Sequence, residues 1–239
     1  MIYRPPQDHR ELVSPTCGRL FVAGDAALLD APRRVAIIGS RKASPEGRRR
    51  AAKLAAQLAR AGVVVVSGLA EGVDRAAHEG ALAVGGRTIA VLGTPLQRCY
   101  PADHAQIQER LYVEHLVVSQ FPAAHRTRPR DFVARNRTMA MLVHATVIVE
   151  AADGSGSLSQ AAETQRIGRP LFLLPSILAR SSLAWPATLL AKGAQVLGEV
   201  GDLLRASDEQ RMARVRLLPE FCQAGSAQRG KGTTGRKPA

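Results

Sequence analysis

Four stretches of this chain bring glycine and small or polar side chains together in a pattern suited to holding phosphate, and the first adds arginine and lysine. They are "GSRKAS" (39–44), "SGLAEGVD" (67–74), "LGTPL" (92–96) and "AADGSGSLSQ" (151–160), each following a short apolar run. Glycine lets the backbone approach an anion closely, and a helix that follows offers free N–H groups to it. Gly39, Ser40, Arg41 and Lys42 open the first turn, Gly68 lies in the second, and Gly156 and Ser157 lie in the fourth. Arg41 stands at the phosphate position, where a planar guanidinium can make a two-pronged contact. Its structural alternative is a pairing with Asp74. A second basic concentration is "HRTRPRDFVARNRTMA" (125–140), which holds Arg126, Arg128, Arg130, Arg135 and Arg137 with Phe132 and Asn136 among them. Charges that track a backbone, with a ring on which a base can stack, suit single-stranded nucleic acid. Arginine at a helix start opposes the macrodipole, which distinguishes this segment from an ordinary solvated helix face.

Other chemistries find less support. The turn "GSRKAS" lacks G-x-G-x-x-G, and G-x-x-x-x-G-K-[ST] occurs nowhere, which argues against classical dinucleotide binding at this turn and P-loop hydrolysis. His78, His104, His125 and His144 do not fall at metal-ligand spacing, and no metal or cofactor is expected. Ser40 and Ser157 have no evident base beside them, so a serine nucleophile is unsupported. Cys17, Cys99 and Cys222 form no CxxC pair, which fits a reducing compartment.

The elements that must position these turns are legible as alternation. "VAII" (35–38), "VVVV" (63–66), "TIAV" (88–91), "HLVV" (115–118), "TVIVE" (146–150) and "LFLL" (171–174) read as strands buried on both faces. Alanine-rich amphipathic stretches separate them. In the first of these, Ser44 is the expected N-cap, Pro45 the first helical residue and Gly62 the stop. The expectation is α/β: a single doubly wound, mostly parallel, Rossmann-like domain over residues 19–205. Residues 1–18 are expected as an N-terminal extension and 206–239 as a basic, disordered tail. Residues 205–239 hold eight basic against three acidic side chains, and from Gln223 onward no large apolar side chain occurs.

With 46% hydrophobic residues the chain can bury a core, and its formal charge of +13 points to an anionic partner. Nucleic acid ranks first and an anionic membrane surface second. No run approaches the ~18 apolar residues of a membrane span, and the N-terminus lacks the pattern of a secretory signal. A cytoplasmic location without membrane attachment is expected.

Taken together, "LFVAGDAALLDAPRRVAIIGSRKASPEG", "VVVVSGLAEGVDRAAHEGAL", "GGRTIAVLGTPLQRCYPADH", "ARNRTMA", "EAADGSGSL" and "GRPLFLLPS" resemble the DprA/Smf family of DNA-processing proteins, over residues 10–200. The resemblance implies an extended Rossmann-like fold and single-stranded DNA binding at the strand-end rim. It also implies a homodimer and a RecA-type recombinase as partner during natural transformation. On that basis Ser40, Arg41, Arg135 and Arg137 contact phosphate, and Gly156 with Ser157 completes the pocket. The sequence departs from the family at Glu71, which sets an acid beside the groove. It departs again at "PSILARSSLAWPATLLAKGA", near the family's dimer edge.

Two other classes compete, the first a nucleotide-derivative sensor or phosphoribohydrolase-like enzyme using the same strand-end pocket. The turn "GSGSLSQ" and "RNRTM" resemble parts of the cytokinin-activating phosphoribohydrolases, which use the same pocket for a nucleotide. The residue at the position of their catalytic glutamate is Gln160, whose amide can neither carry the charge nor take the proton. Glu163, one turn on, is the substitute carboxylate to test. The remaining class is a scaffold that binds another protein and no DNA.

Overall fold

The computed structural model describes residues 3–180 and 182–224. Its centre is a nine-stranded sheet: β1 (Arg10–Ser14), β2 (Gly18–Gly24), β3 (Arg34–Gly39), β4 (Val64–Ser67), β5 (Thr88–Leu92), β6 (Leu116–Ser119), β7 (Ala145–Glu150), β8 (Leu171–Leu173) and β9 (Gln195–Val196). The spatial order is β1-β2-β6-β5-β4-β3-β7-β8-β9. The seven strands from β3 onward run parallel to one another; β2 is antiparallel to β6 and to β1. The sheet is therefore α/β, doubly wound and mostly parallel, as expected.

Strand residues alternate between two cores, as a period of two requires. Ala36, Ile38, Val64, Val66, Ile89, Val91 and Ile148 face one side, covered by α4 (Pro129–Leu142), α5 (Gly156–Arg166) and α7 (Trp185–Ala191). Val35, Ile37, Val65, Val147 and Phe172 face the other, covered by α1 (Pro45–Arg60), α2 (Val73–Leu82) and the start of α8 (Val200–Ala224). The helix α3 (Ala105–Glu114) packs Leu111 on Ala90, Leu92 and Val117, over the β5–β6–β2 part of the sheet. A short helix α6 (Pro175–Leu178) follows β8. Among the described residues, no helix is long and apolar enough to cross a membrane.

Two boundaries differ from the sequence reading. The stretch 1–18 contributes an edge strand, because Arg10 to Ser14 pair with Val22 to Gly18 across a tight turn. At the other end, α8 continues through residue 205, so residues 206–224 are helical where a flexible arm was expected. The cause is docking: Leu203, Ala206 and Ser207 are buried, and Asp208 takes two hydrogen bonds from Arg33, at 2.8 and 2.7 Å. The rest of the expected arm, 225–239, lies outside the described residues.

The strand order fixes where the site must be. β3 lies between β4 and β7, so the chain steps outward in one direction from β3 to β6 and then returns to the opposite side. At such a switch point the loops beyond the carboxyl ends of the strands diverge and leave a crevice.

Candidate nucleic-acid interface

That crevice is a cleft of about 600 Å³ beyond the ends of β3 and β7. Its walls come from the loop after β3, the loop after β7 with the start of α5, and the inner face of α4. Gly39, Ser40, Arg41, Lys42, Phe132, Arg135, Asn136, Gly156 and Ser157 all line it. Gly68 lines a smaller adjoining recess with Glu71 and Gly93. Arg126, Arg128, Arg130 and Arg137 are exposed and line neither; they lie on the loop before α4 and on its outer side.

Of the helices that begin at the rim, α1 and α5 follow β3 and β7, and their starts differ. Ser44 caps α1 as expected, accepting from the Gly47 amide at 2.9 Å. The positive end of α1 is already occupied by a carboxylate, however. Glu150, the last residue of β7, accepts from the Ser44 backbone N–H at 3.0 Å and from its hydroxyl at 2.6 Å. Arg180 lies 3.4 Å away. Burial pushes the Glu150 carboxyl up, but the Ser44 hydrogen bonds and the charges of Arg180 and Arg50 hold it below the usual carboxylate range. The start of α5 has no acidic residue in its first turn, and its N-cap Ser155 makes no capping hydrogen bond. Ser155 and Ser157 share a hydroxyl–hydroxyl contact. With α1 satisfied internally, α5 is the helix whose first amides and macrodipole are disposed toward an added anion.

The loop after β4 sets the position of Arg41. Gly72 adopts φ +81°, and a Cβ there would lie 2.3 Å from the Ser40 carbonyl oxygen. This close approach lets the Val73 amide donate to the Ser40 carbonyl at 3.2 Å, holding the β3 loop in place. The Arg41 guanidinium then lies over the Phe132 ring, 5.4 Å from its centroid, in cation–π range. Tyr100 tilts against the same ring, with centroids 5.3 Å apart, and is 55% exposed. Arginine and two aromatic rings thus form a shelf on one wall of the cleft. Sequence reasoning missed Tyr100; its one signal was an aromatic residue before proline in a loop at a strand's carboxyl end.

Arg135 occupies a different setting from the exposed arginines. It is 5% exposed, and its Nη1 donates to the carbonyls of Gly68 and Val91, each at 2.6 Å. It therefore ties the end of β4 to the end of β5 from α4. Asp74 is the buried charge that faces it. Burial raises the Asp74 carboxyl above its ordinary range, and Arg135 and the amides of Gly68 and Ala70 offset this only in part. Burial likewise lowers Arg135, and Asp74 offsets that in part. Asp74 thus faces Arg135 rather than Arg41. Asn136 braces the opposite wall, donating to the Gly156 carbonyl at 3.1 Å.

Two acid–base questions are answered by placement. Glu163 does not line the cleft; it accepts from Arg166, one turn along α5, at 2.8 Å. Gln160 does line the cleft, at 1% exposure, and neither its Oε1 nor its Nε2 has a hydrogen-bond partner. The histidines are dispersed. His78 meets Thr88 in the core at 2.7 Å, His104 lies 2.9 Å from the Leu69 carbonyl, and His125 pairs with Asp131 at 2.7 Å. Among the described residues, no group of three potential ligands is placed to hold a metal.

A doubly wound sheet with a cleft at its switch point defines a Rossmann-like α/β protein. Comparison with known proteins gives the particular family: the chain belongs to that of DNA recombination-mediator protein A, whose family model matches residues 6–208. It is 30% identical over 191 residues to the DNA processing protein DprA of Bacillus subtilis, covering 80% of this chain and 64% of that one. It is 37% identical over 186 residues to a putative DNA processing protein DprA of Mycobacterium tuberculosis, covering 77% and 48%. A solved structure of DNA processing protein A from Helicobacter pylori, described for its single-stranded DNA binding mode, superposes with a TM-score of 0.73 at 32% identity. The match covers 82% of this chain and 94% of that one. The chain thus spans 64% and 48% of the lengths of the two curated relatives.

Proposed function

We propose that this chain binds single-stranded DNA across the strand-end cleft and serves DNA processing and recombination without enzymatic turnover. The observation that carries the reading is the pairing of an open helix start at α5 with the Arg41–Phe132–Tyr100 shelf on the facing wall. A phosphate is held by the α5 amides with Ser40, Arg41 and Lys42, and a base stacks on the aromatic wall. Arg126, Arg128, Arg130 and Arg137 extend the positive track outside the cleft, where the strand continues. Gly39 and Gly68 keep the backbone low beneath it, and Arg135 and Asn136 hold the walls in place. The Helicobacter protein's single-stranded DNA binding supports the same assignment.

On this reading the macromolecular partners are a RecA-type recombinase and a second copy of this chain, as the family resemblance implies. The cleft also fits a nucleotide derivative, the rival ligand. Against hydrolysis of that ligand stand Gln160 at the position a catalytic acid would take, Glu163 turned to Arg166, and Asp74 engaged by amides.

The test is fluorescence anisotropy with labelled single- and double-stranded oligonucleotides over a salt series, with AMP as competitor. The expected result is tight, salt-sensitive preference for the single strand and no free base released from AMP. Binding to neither strand at low salt refutes the reading. Turnover of AMP that is lost in Glu163→Ala refutes the non-enzymatic part.

A further inference from the structure

Gln160 is the one cleft residue whose burial the fold leaves without an account. Its side chain lies on the cleft floor, one turn into α5, with both amide atoms sealed from solvent and unpaired. Buried amides are nearly always hydrogen-bonded, because an unmade bond in the interior is costly. Its neighbours have found partners: Asn136 donates to the Gly156 backbone carbonyl, and the Thr164 hydroxyl donates to the backbone carbonyl of residue Gln160 at 2.9 Å. The Gln160 amide therefore keeps one donor group and one acceptor at the floor of an anion-receiving cleft. Side chains on a helix lean toward its N-terminus, so this amide points back toward the first turn, where the anion is held.

We propose that Gln160 is a specificity-determining residue that hydrogen-bonds the base edge of the nucleotide whose phosphate sits at the start of α5. This inference rests on the single-strand reading above. Within a DNA strand, phosphate and deoxyribose offer acceptors and no donor. Only a base presents a donor beside an acceptor, which is what an amide with both ends unpaired requires. Adenine's N6 amino group and N7 form such a pair for a glutamine amide. The amide thus fixes the edge of a base whose face lies toward Phe132, and it adds a contact that backbone charges cannot supply.

The inference is tested with Gln160→Met, which keeps length and volume while removing the amide, and with Gln160→Leu as a second apolar variant. The probes are a labelled deoxyadenosine oligonucleotide, its fully abasic counterpart and the matching RNA strand, all at one salt concentration. Thermal unfolding is followed in parallel. The expected result is a loss of about tenfold in affinity for the base-bearing DNA in both variants, the range a lost bidentate contact gives. Affinity for the abasic strand stays unchanged, and the thermal midpoint is unchanged or higher because an unpaired buried amide has been removed. Equal affinity of wild type and variants for the base-bearing strand overturns the proposal. So does an equal loss on the abasic strand, which would assign the amide to the backbone, or a loss confined to RNA, which would assign it to the sugar hydroxyl. A lowered midpoint with parallel losses on every strand overturns it in favour of a structural role. A wild-type protein that binds the base-bearing and abasic strands equally, and tightly, sinks this inference while leaving single-strand binding intact. A wild-type protein that binds neither sinks both.

Discussion

Arg135→Met offers the sharpest test of how the cleft is held together. The substitution removes two short hydrogen bonds, from Nη1 to the carbonyls of Gly68 and Val91 at 2.6 Å each. It also leaves Asp74 buried without the positive charge that faces it. Breaking a buried charged pair by removing one partner costs about 3–5 kcal/mol. That is a large share of the 5–15 kcal/mol typical of a domain's total stability, so the loss should be plain in urea unfolding. The pH dependence carries a second signature. The folded Asp74 carboxyl is raised above its ordinary range by burial, and Arg135 is the charge that holds it down. A raised folded value means the folded protein keeps a proton that the unfolded chain has released. Stability from this group therefore falls as pH climbs from the unfolded value, about 3.9, toward the folded one. Removing Arg135 extends that window upward, so the variant's deficit should grow with pH and shrink in acid. Asp74→Asn in the same chain should recover part of the loss, since no buried charge is then stranded. Urea titrations at pH 5 and pH 8, read by the fluorescence of the single tryptophan, Trp185, measure both effects. An Arg135→Met protein within about 1 kcal/mol of wild type at both pH values, the size of an ordinary substitution, would refute the account.

Arg41→Ala and Arg137→Ala should each weaken single-strand binding and flatten the log–log salt slope by about 0.7 per lost phosphate contact; unchanged slopes would put the strand elsewhere. Gly93→Val should displace Phe132, because a Cβ at this position would lie 2.5 Å from the ring. The stacking contribution, about 1–3 kcal/mol per base, should then fall while the salt slope holds, and a wild-type affinity would show that the shelf does not touch a base. Burial pushes His78 down to about 3. The unfolded chain then takes up a proton below about pH 6.5 that the folded protein refuses, so stability drops in acid by about 1.4 kcal/mol per pH unit between those values. Urea unfolding at pH 7.5, 5.5 and 4.5 should show a shallower acid loss in His78→Gln, and identical slopes would remove His78 as the cause.

Six of the seven parallel strands were legible because each is a continuous apolar run buried on both faces, whereas β9 was not, being two exposed residues, Gln195 and Val196. β1 was not, because it is an edge strand of mixed polar residues, "RELVS", with Val13 82% exposed. Its pairing depends on the turn at Gly18 rather than on hydrophobic pattern. The cleft residues were legible by type and less so by role. Arg135 and Arg137 look alike in "ARNR", yet one is buried and the other exposed. The helical period separates them: Phe132, Arg135, Asn136 and Met139 fall on the stripe turned toward the sheet, and Arg137 falls off it. Gln160 shows the reverse case. Its place one turn into α5 could be read from the sequence, but its lack of any partner emerges only once the walls close around it.

The two helix starts differ in whether the fold itself satisfies them. A helix N-terminus attracts whatever carboxylate or phosphate can reach it. The last residue of β7 is a glutamate whose carboxylate reaches the start of α1, so that charge is satisfied within the fold and stabilises the loop bearing Arg41. The loop after β7 then runs through Gly154 and Gly156 to α5, which has no acidic residue in its first turn. One strand end therefore closes one helix start and, six residues later, leads into another that stays open. The positive side chains of the first loop are thereby held, by an internal anion, facing the place where an external one can bind.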